Sequence, residues 1–356
     1  MTTIYDIAKK CSCSPSTVSK VINNYPSIPE KTKQKVLKTM REMDFIPNQT
    51  ASTLSKGKSN NVGILAFLGL SISPLRHGLF SEILESFQRK MNEKNYDLLF
   101  VSNNVGNNKG TLYENCMARG VDGVLLFGDM NAKEMQEIIN SDIPSIGFDY
   151  VGEHMSGVYS NNYDLMYELT THLIKLGHRR IVFVCGDDSE ITSSRIEAFK
   201  NAMSDNDIPI YSDYLIRTHY LNSEELISEV KKLFSSNSEK PTAIMCPDDL
   251  TAVKLIQYCH KMGIKCPEDI SITGFDGIEM GRLITPTLTT ARQDSKAIGE
   301  KLAEKLIDLM TNKKTSRELI RIPGSIVVGE STCSLKETNK ESSYSLENKT
   351  YVREGS

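Results

Sequence analysis

From Asn61 onward, short apolar runs alternate with longer amphipathic segments: VGILAFL, YDLLFVS, DGVLLFG and PSIGFDY, then RRIVFVCG, TAIMCPDD and ISITGFD. Apolar runs of this length bounded by polar turns read as buried strands, and strands that take turns with helices build a mostly parallel sheet. The intervening helical patterns lie around 162–176, 196–203, 223–234 and 250–262. Roughly 270 residues exceed what one such sheet needs and suit two. Ligands of open parallel sheets sit at the carboxyl ends of the strands. Asp248, Asp249 and Asp276 close two of these runs and so point to a shared cleft. Strand-end carboxylates also cap following helices, an alternative that weighs most for Asp249, whereas Asp276, followed by Gly277, reads as a ligand.

The first 47 residues have a different texture. In TIYDIAKKCSCSPSTVSKVIN, Ile4, Ile7 and Ala8 share one face of a short helix, and Val18, Val21 and Ile22 share a face of a second. Between them Cys11 to Ser14 leave room only for a tight turn, and Ser14-Pro15 is an N-cap followed by a favoured first helical residue. This is a helix-turn-helix pattern. On the second helix Ser16, Lys20 and Asn23 lie opposite the apolar side, with Thr17 at the border. Such a face is either an ordinary solvated surface or a set of donors and acceptors for base edges in a major groove. A third helix is expected from about Glu30 to Met43, with Val36, Leu37 and Met40 inward, ending before Pro47.

Charge favours the nucleic-acid alternative. Residues 1–60 hold ten Lys or Arg against four Asp or Glu, a net +6 in a chain whose total is −3. A local cationic excess of this kind is the footprint of a module that neutralises phosphates. Asn48 to Lys58, polar except for Ala51 and Leu54, reads as a flexible linker or as a helix formed only with a partner, in which Leu54 would serve as a minor-groove wedge. The eight cysteines form no framework, and the C-x-C at 11–13 lacks further ligands for zinc, so neither a structural metal nor a cofactor is expected. With no apolar signal segment and no run long enough to span a bilayer, a reducing cytoplasm is the expected compartment. Walker, nucleophile-elbow and metalloprotease motifs are absent, and the six histidines show no ligand spacing, so no enzymatic activity is expected. His178 in LGHRR reads as structural. From Cys333 to Ser356 the chain is polar without a heptad and reads as a disordered tail.

These motifs resemble the lactose and galactose repressor family of bacterial transcription regulators, from Thr3 to about Thr332. The opening stretch, the linker PNQTASTLSKGKS, HLIKLGHRRIVFV, SSRIEAF, PTAIMCPDDLTAV, CPEDISITGFD and PTLTTARQ match successive family motifs in order. The resemblance implies an all-α helix-turn-helix headpiece (1–47) and a hinge helix with linker (48–60). It also implies a two-lobed periplasmic-binding-protein-like α/β core (61–332), parallel sheets flanked by helices. Lobe 1 is expected at about 61–160 and 291–320, and lobe 2 at about 161–290 and 321–332. It further implies a homodimer on double-stranded, pseudo-palindromic operator DNA and a small effector in the core, with no membrane partner. The DNA-contacting candidates are Thr3, Tyr5, Ser14, Ser16, Thr17, Lys20, Asn23, Asn48, Leu54 and Lys56, and the effector candidates are Phe80, Arg195, Tyr220, Asp248 and Asp276. An arginine fork, acidic acceptors and aromatic faces suit a sugar or simple sugar derivative, neutral rather than phosphorylated. Four features depart from the family pattern: Ser12 stands for glycine in the turn, Asn161 for aspartate, and Asp248 for an asparagine frequent in sugar-responsive members. The fourth is a longer loop before Phe80, which brings Arg76 and His77 within reach. The reading is thus an effector-controlled repressor. Its alternatives are an activator or global regulator controlled by a protein cofactor, or a sugar-binding receptor with no DNA function.

Overall fold

A computed structural model describes residues 2–23, 25–46, 58–67, 77–102, 104–105, 108–235, 239–312 and 316–335. Two compact units divide at Ser59 and Asn60. Of the expected hinge and linker at 48–60, residues 48–57 with Asn48, Leu54 and Lys56 lie outside the described residues, as do Arg76 and the tail beyond residue 335.

In the first unit, α1 (Ile4–Cys11), α2 (Pro15–Ile22) and α3 (Glu30–Glu42) pack around Ile7, Ala8, Val18, Val21, Val36 and Met40. Thr3 opens α1 through a capping box with Asp6, which satisfies two of the helix's free N–H groups reciprocally. Ser12 closes it in the left-handed region at φ 51° and ψ 46°, so the turn does require the conformation that glycine adopts without strain. Ser14 Oγ accepts the Thr17 N–H at 3.1 Å and starts α2. The third helix ends at Glu42, earlier than Pro47 would stop it. Asp44 turns left-handed at φ 46° and the Phe45 N–H returns to the Met40 carbonyl at 2.9 Å, so backbone closure ends the helix before proline acts.

The second unit holds two six-stranded sheets. In chain order its elements are β1 (Asn61–Phe67), α4 (Gly78–Asn92), β2 (Asp97–Phe100), a short hairpin of β3 (Asn104–Val105) and β4 (Asn108–Lys109), α5 (Leu112–Arg119), β5 (Gly123–Gly128), α6 (Lys133–Ile139), β6 (Ser145–Phe148) and β7 (Ser156–Ser160). There follow α7 (Asn162–Lys175), β8 (Ile181–Cys185), α8 (Glu190–Ser204), β9 (Leu215–Arg217), α9 (Ser223–Ser235), β10 (Ala243–Met245), α10 (Asp249–Lys261), β11 (Ser271–Asp276), α11 (Met280–Leu283), β12 (Thr289–Arg292), α12 (Ser295–Thr311), β13 (Leu319–Ile322) and β14 (Ser325–Val327). Lobe 1 has the order β13-β7-β6-β5-β1-β2, parallel throughout, and lobe 2 the order β14-β12-β11-β10-β8-β9, parallel except for the β14 edge.

Each sheet is buried on both faces, as parallel sheets require. In lobe 1 the Phe87, Ile83 and Leu302 side chains of α4 and α12 cover one side, and Cys116, Met135 and Ile138 of α5 and α6 the other. In lobe 2, α7 and α8 pack on one face through Leu169 and Phe199, and α9 and α10 on the other through Val230 and Leu255.

The lobe limits differ from those expected. β12 belongs to lobe 2 and β13 to lobe 1, so the return crossings fall near Gln293 and Gly324, a few residues later than 291 and 321. Helix α8 begins at Glu190 under the Ser189 cap, six residues before the expected start. The expected tail also starts too early. Cys333 N–H donates to Ser271 Oγ at 3.2 Å and Leu335 N–H to the Leu176 carbonyl at 2.9 Å, so residues 333–335 are part of lobe 2.

Candidate functional site

The headpiece presents one exposed polar face. Ser16 and Lys20 are exposed on α2, Thr17 and Asn23 half-buried, and Thr3 and Tyr5 exposed on and before α1. The Ser14 hydroxyl lies 2.7 Å from Ser16 Oγ and 2.9 Å from Thr17 Oγ1, a fixed hydroxyl cluster at the start of the helix. Asn23 is less available than its helical position suggested, because its amide donates to the Ser19 carbonyl at 2.9 Å and finishes its own helix. Lys20 is therefore the one long cationic side chain of the expected α2 face.

In the core, the carboxyl ends of both sheets converge on Arg195. This arginine lies on α8, and its side chain is buried. Its Nε donates to Asn162 Oδ1 at 2.8 Å, its Nη1 to the Pro247 carbonyl at 3.1 Å, and its guanidinium lies over the Phe275 ring at 3.5 Å. Among the described residues it has no ion-pair partner. Asp276, at the end of β11, is buried at φ 116°, and its Oδ1 accepts from Gln293 Nε2 at 2.7 Å. Burial, and then the neighbouring Asp249, push its carboxyl well above the usual range, against the pull of Arg195. Across from lobe 2, Asp149 follows β6 at φ 52°. Burial raises it to about 6, opposed by Arg195, the Ser160 N–H and the Asn162 side chain.

Tyr220 flanks the site, its hydroxyl 2.9 Å from Thr192 Oγ1 and its ring 5.8 Å from the Arg195 guanidinium. On lobe 1, Phe80 packs on Phe127 and Phe148 and stacks against His77 at 4.2 Å. His77, Glu82, Leu221, Asp276, Ile278 and Met280 are among the residues lining a cavity of about 370 Å³.

Asp248 departs from its expected role. Its Oδ1 accepts the Thr251 N–H at 2.8 Å as the N-cap of α10, and its Oδ2 accepts the Leu221 N–H at 2.9 Å. With each oxygen holding a backbone N–H, Asp248 shapes the wall that carries Tyr220 and Leu221. Asp249 is likewise occupied, by Thr290 Oγ1 at 2.5 Å and the Ile278 N–H at 2.8 Å. Its carboxyl is raised to about 7 by burial. Phe80, Arg195, Tyr220 and Asp276 remain as candidate site residues, and the structure adds Asp149, Asn162, Gln293 and His77 as candidates. Among the described residues, no group of three or more His, Cys, Asp or Glu is placed to hold a metal ion. His178 is fully packed away from this site, with Nδ1 2.9 Å from Thr242 Oγ1 and Nε2 3.2 Å from the Cys333 carbonyl.

Residues 3–48 match the model of bacterial regulatory proteins of the lacI family, and residues 170–332 match that of the periplasmic binding protein-like domain. The HTH-type transcriptional regulator DegA of Bacillus subtilis is 31% identical over 342 residues, covering 94% of this chain and 99% of DegA. The chain belongs to the LacI family.

As a LacI-family member it is a sequence-specific DNA-binding regulator, with a helix-turn-helix region joined to a two-lobed α/β domain. Its fold is similar to that of the lac repressor dimer bound to operator and an anti-inducer, with a TM-score of 0.77 at 21% identity over 93% of this chain and 99% of that one. A LacI-family regulator from Enterococcus faecium with bound ribose has a TM-score of 0.66 at 25% identity and covers 78% of this chain and 100% of its own. No helix among the described residues is long and apolar enough to cross a membrane.

Proposed function

We propose that this LacI-family chain is a transcription repressor whose hold on its operator is set by a small sugar-like molecule bound between the lobes. The observation that carries the reading is Arg195: a buried guanidinium without an ion-pair partner among the described residues, whose charge is felt by Asp149 on one lobe and Asp276 on the other. Burying a charge is costly unless it is paired and hydrogen-bonded. A ligand with several hydroxyls supplies acceptors to the arginine and donors to the two carboxylates at once. The ribose bound to the similar E. faecium regulator supports the same class.

On this reading two copies present α2 to the half-sites of a pseudo-palindromic operator, with Lys20 and the hydroxyls of Ser16 and Thr17 facing base edges. The protein works in the cytoplasm and catalyses no reaction. Selection of bound duplexes from a random pool, followed by a thermal-shift screen of the full chain against sugars, sugar phosphates and nucleobases, tests it. A ligand at 100 times its Kd stabilises the protein by about 2.7 kcal/mol. Failure to enrich any palindromic duplex, or retained operator protection by residues 61–356 alone, would remove the headpiece from its role.

A further inference from the structure

Three buried side-chain polar atoms have no hydrogen-bond partner among the described residues: Nδ1 of His77 and the hydroxyls of Thr171 and Thr273. Only the histidine lines the 370 Å³ cavity. Its ring plane is held by stacking on Phe80 at 4.2 Å and 20°, and although it occupies the N-cap position of α4 its side chain caps nothing. A donor or acceptor buried without a partner is destabilising, so a folded chain keeps one where something outside the chain completes it. The cavity wall opposite carries Asp276, Leu221, Leu250 and Ile278, so a molecule filling it touches both lobes.

We infer that His77 is a lobe-1 hydrogen-bonding residue of the cleft, its Nδ1 reserved for a hydroxyl or ring N–H of an uncharged, donor-rich ligand lying beside Phe80. This rests on the reading of the cleft as the effector site. The imidazole is neutral at physiological pH, since burial and then the charge of Arg195 hold it down to about 4. A neutral ring offers one donor and one acceptor and no charge to an anion. The other ionisable groups around the cavity, Glu82, Glu279 and Asp276, are acidic. A phosphate or carboxylate would meet three acidic side chains and no lysine or arginine among the residues lining the cavity, whereas hydroxyls would find partners on all three and on His77.

The test has one arm that needs no ligand. In the full chain, His77→Phe and His77→Leu remove the unpaired nitrogen. The expected result is a melting temperature raised by about 2–4 °C in at least one of the two, the size expected from relieving roughly 1 kcal/mol. A fall in both variants would show that the ring's polarity supports the fold, and would overturn the inference. The second arm titrates D-ribose, D-glucose and cellobiose, and ribose 5-phosphate and glucose 6-phosphate, against the wild type, the His77 variants and Arg195→Ala. At least tenfold weaker binding of a non-phosphorylated sugar by both His77 variants supports the assignment. Binding lost in Arg195→Ala but unchanged in the His77 variants overturns the role of His77 and leaves the cleft standing. Binding unchanged in all three variants overturns the cleft itself, and a response confined to the sugar phosphates overturns the ligand class.

Discussion

Exchanging His178 for asparagine should flatten the acid side of the protein's stability profile. His178 is buried, and burial holds its ring down to about 4 from an ordinary 6.5. Between those two values the unfolded chain binds a proton that the native chain refuses, so stability falls as pH drops through 6.5 and the loss levels off below 4. With these two values the loss between pH 7.5 and pH 5 is about 2 kcal/mol, and the full loss about 3.4 kcal/mol. Asp149 and Asp249 act in the opposite sense. Their carboxyls are raised to about 6 and about 7, so they favour the native state as pH falls towards 4. Because they are common to both proteins, they cancel in the difference. The assay is urea unfolding of wild type and His178→Asn, followed by circular dichroism at pH 7.5, 6.5, 5.5 and 5. The variant starts less stable because it lacks the full bridge from Thr242 to the Cys333 carbonyl, but it should lose about 2 kcal/mol less on acidification. Parallel curves would refute the account of a histidine kept neutral by packing, and with it the purely structural reading of LGHRR.

Four further outcomes follow from named contacts. Ser12→Gly should stabilise the headpiece by about 1 kcal/mol, read as a higher melting temperature, because φ 51° strains any side chain there. Asp248→Ala should cost about 1–3 kcal/mol in urea unfolding, since the Thr251 and Leu221 N–H groups both lose their acceptor. Lys20→Ala should reduce the ratio of operator to random-duplex affinity by about 1–3 kcal/mol in competition binding, whereas loss of a phosphate contact would weaken both alike. Arg195→Ala and Asp276→Asn should each abolish the effector response in a DNA-release assay while leaving ligand-free operator affinity unchanged, and a wild-type midpoint in both would place the pocket elsewhere.

Much of this was legible in the chain because local physics decided it. The headpiece helices follow from apolar spacing and from the Ser14-Pro15 start, and the strands from short apolar runs. Asp276 was singled out as a candidate by the rule that ligands sit at the carboxyl ends of parallel strands. The same rule misassigned Asp248, because an aspartate between a strand and a helix can cap the helix or face the ligand, and only the placement of the Leu221 and Thr251 N–H groups tells which. Asp149 ends its strand in PSIGFDY as Asp276 does in ISITGFD, so the rule could have reached it. Asn162 and Gln293 carried no such signal. Asn162 meets Arg195 from 33 residues away, and Gln293 joins Asp276 to Ser160, 133 residues away, a convergence of separate elements that a periodicity argument cannot see. The lobe limits failed for a related reason: β12 and β13 are close in sequence but pair in different sheets.

That convergence also says how a ligand in the cleft reaches the connections between the lobes. The chain crosses between sheets near Ser160, Gln293 and Gly324. Gln293 donates to Asp276 while its carbonyl oxygen accepts from the Ser160 hydroxyl, and the Asn161 N–H donates to the Ile322 carbonyl at 3.0 Å. Asn162, the residue after that crossing, holds Arg195 at 2.8 Å and bonds Asp149. Arg195 and Asp276 are thus each one hydrogen bond from a crossover between the lobes. A ligand that binds one lobe arrangement more tightly than another shifts their populations by its differential affinity and by no more than that. Here the differential has an identifiable source. Asp149 and His77 belong to lobe 1 and Arg195 and Asp276 to lobe 2, so a ligand spanning them loses part of its hydrogen bonds in any arrangement that separates the lobes, and the crossovers near Ser160 and Gln293 must change with that separation.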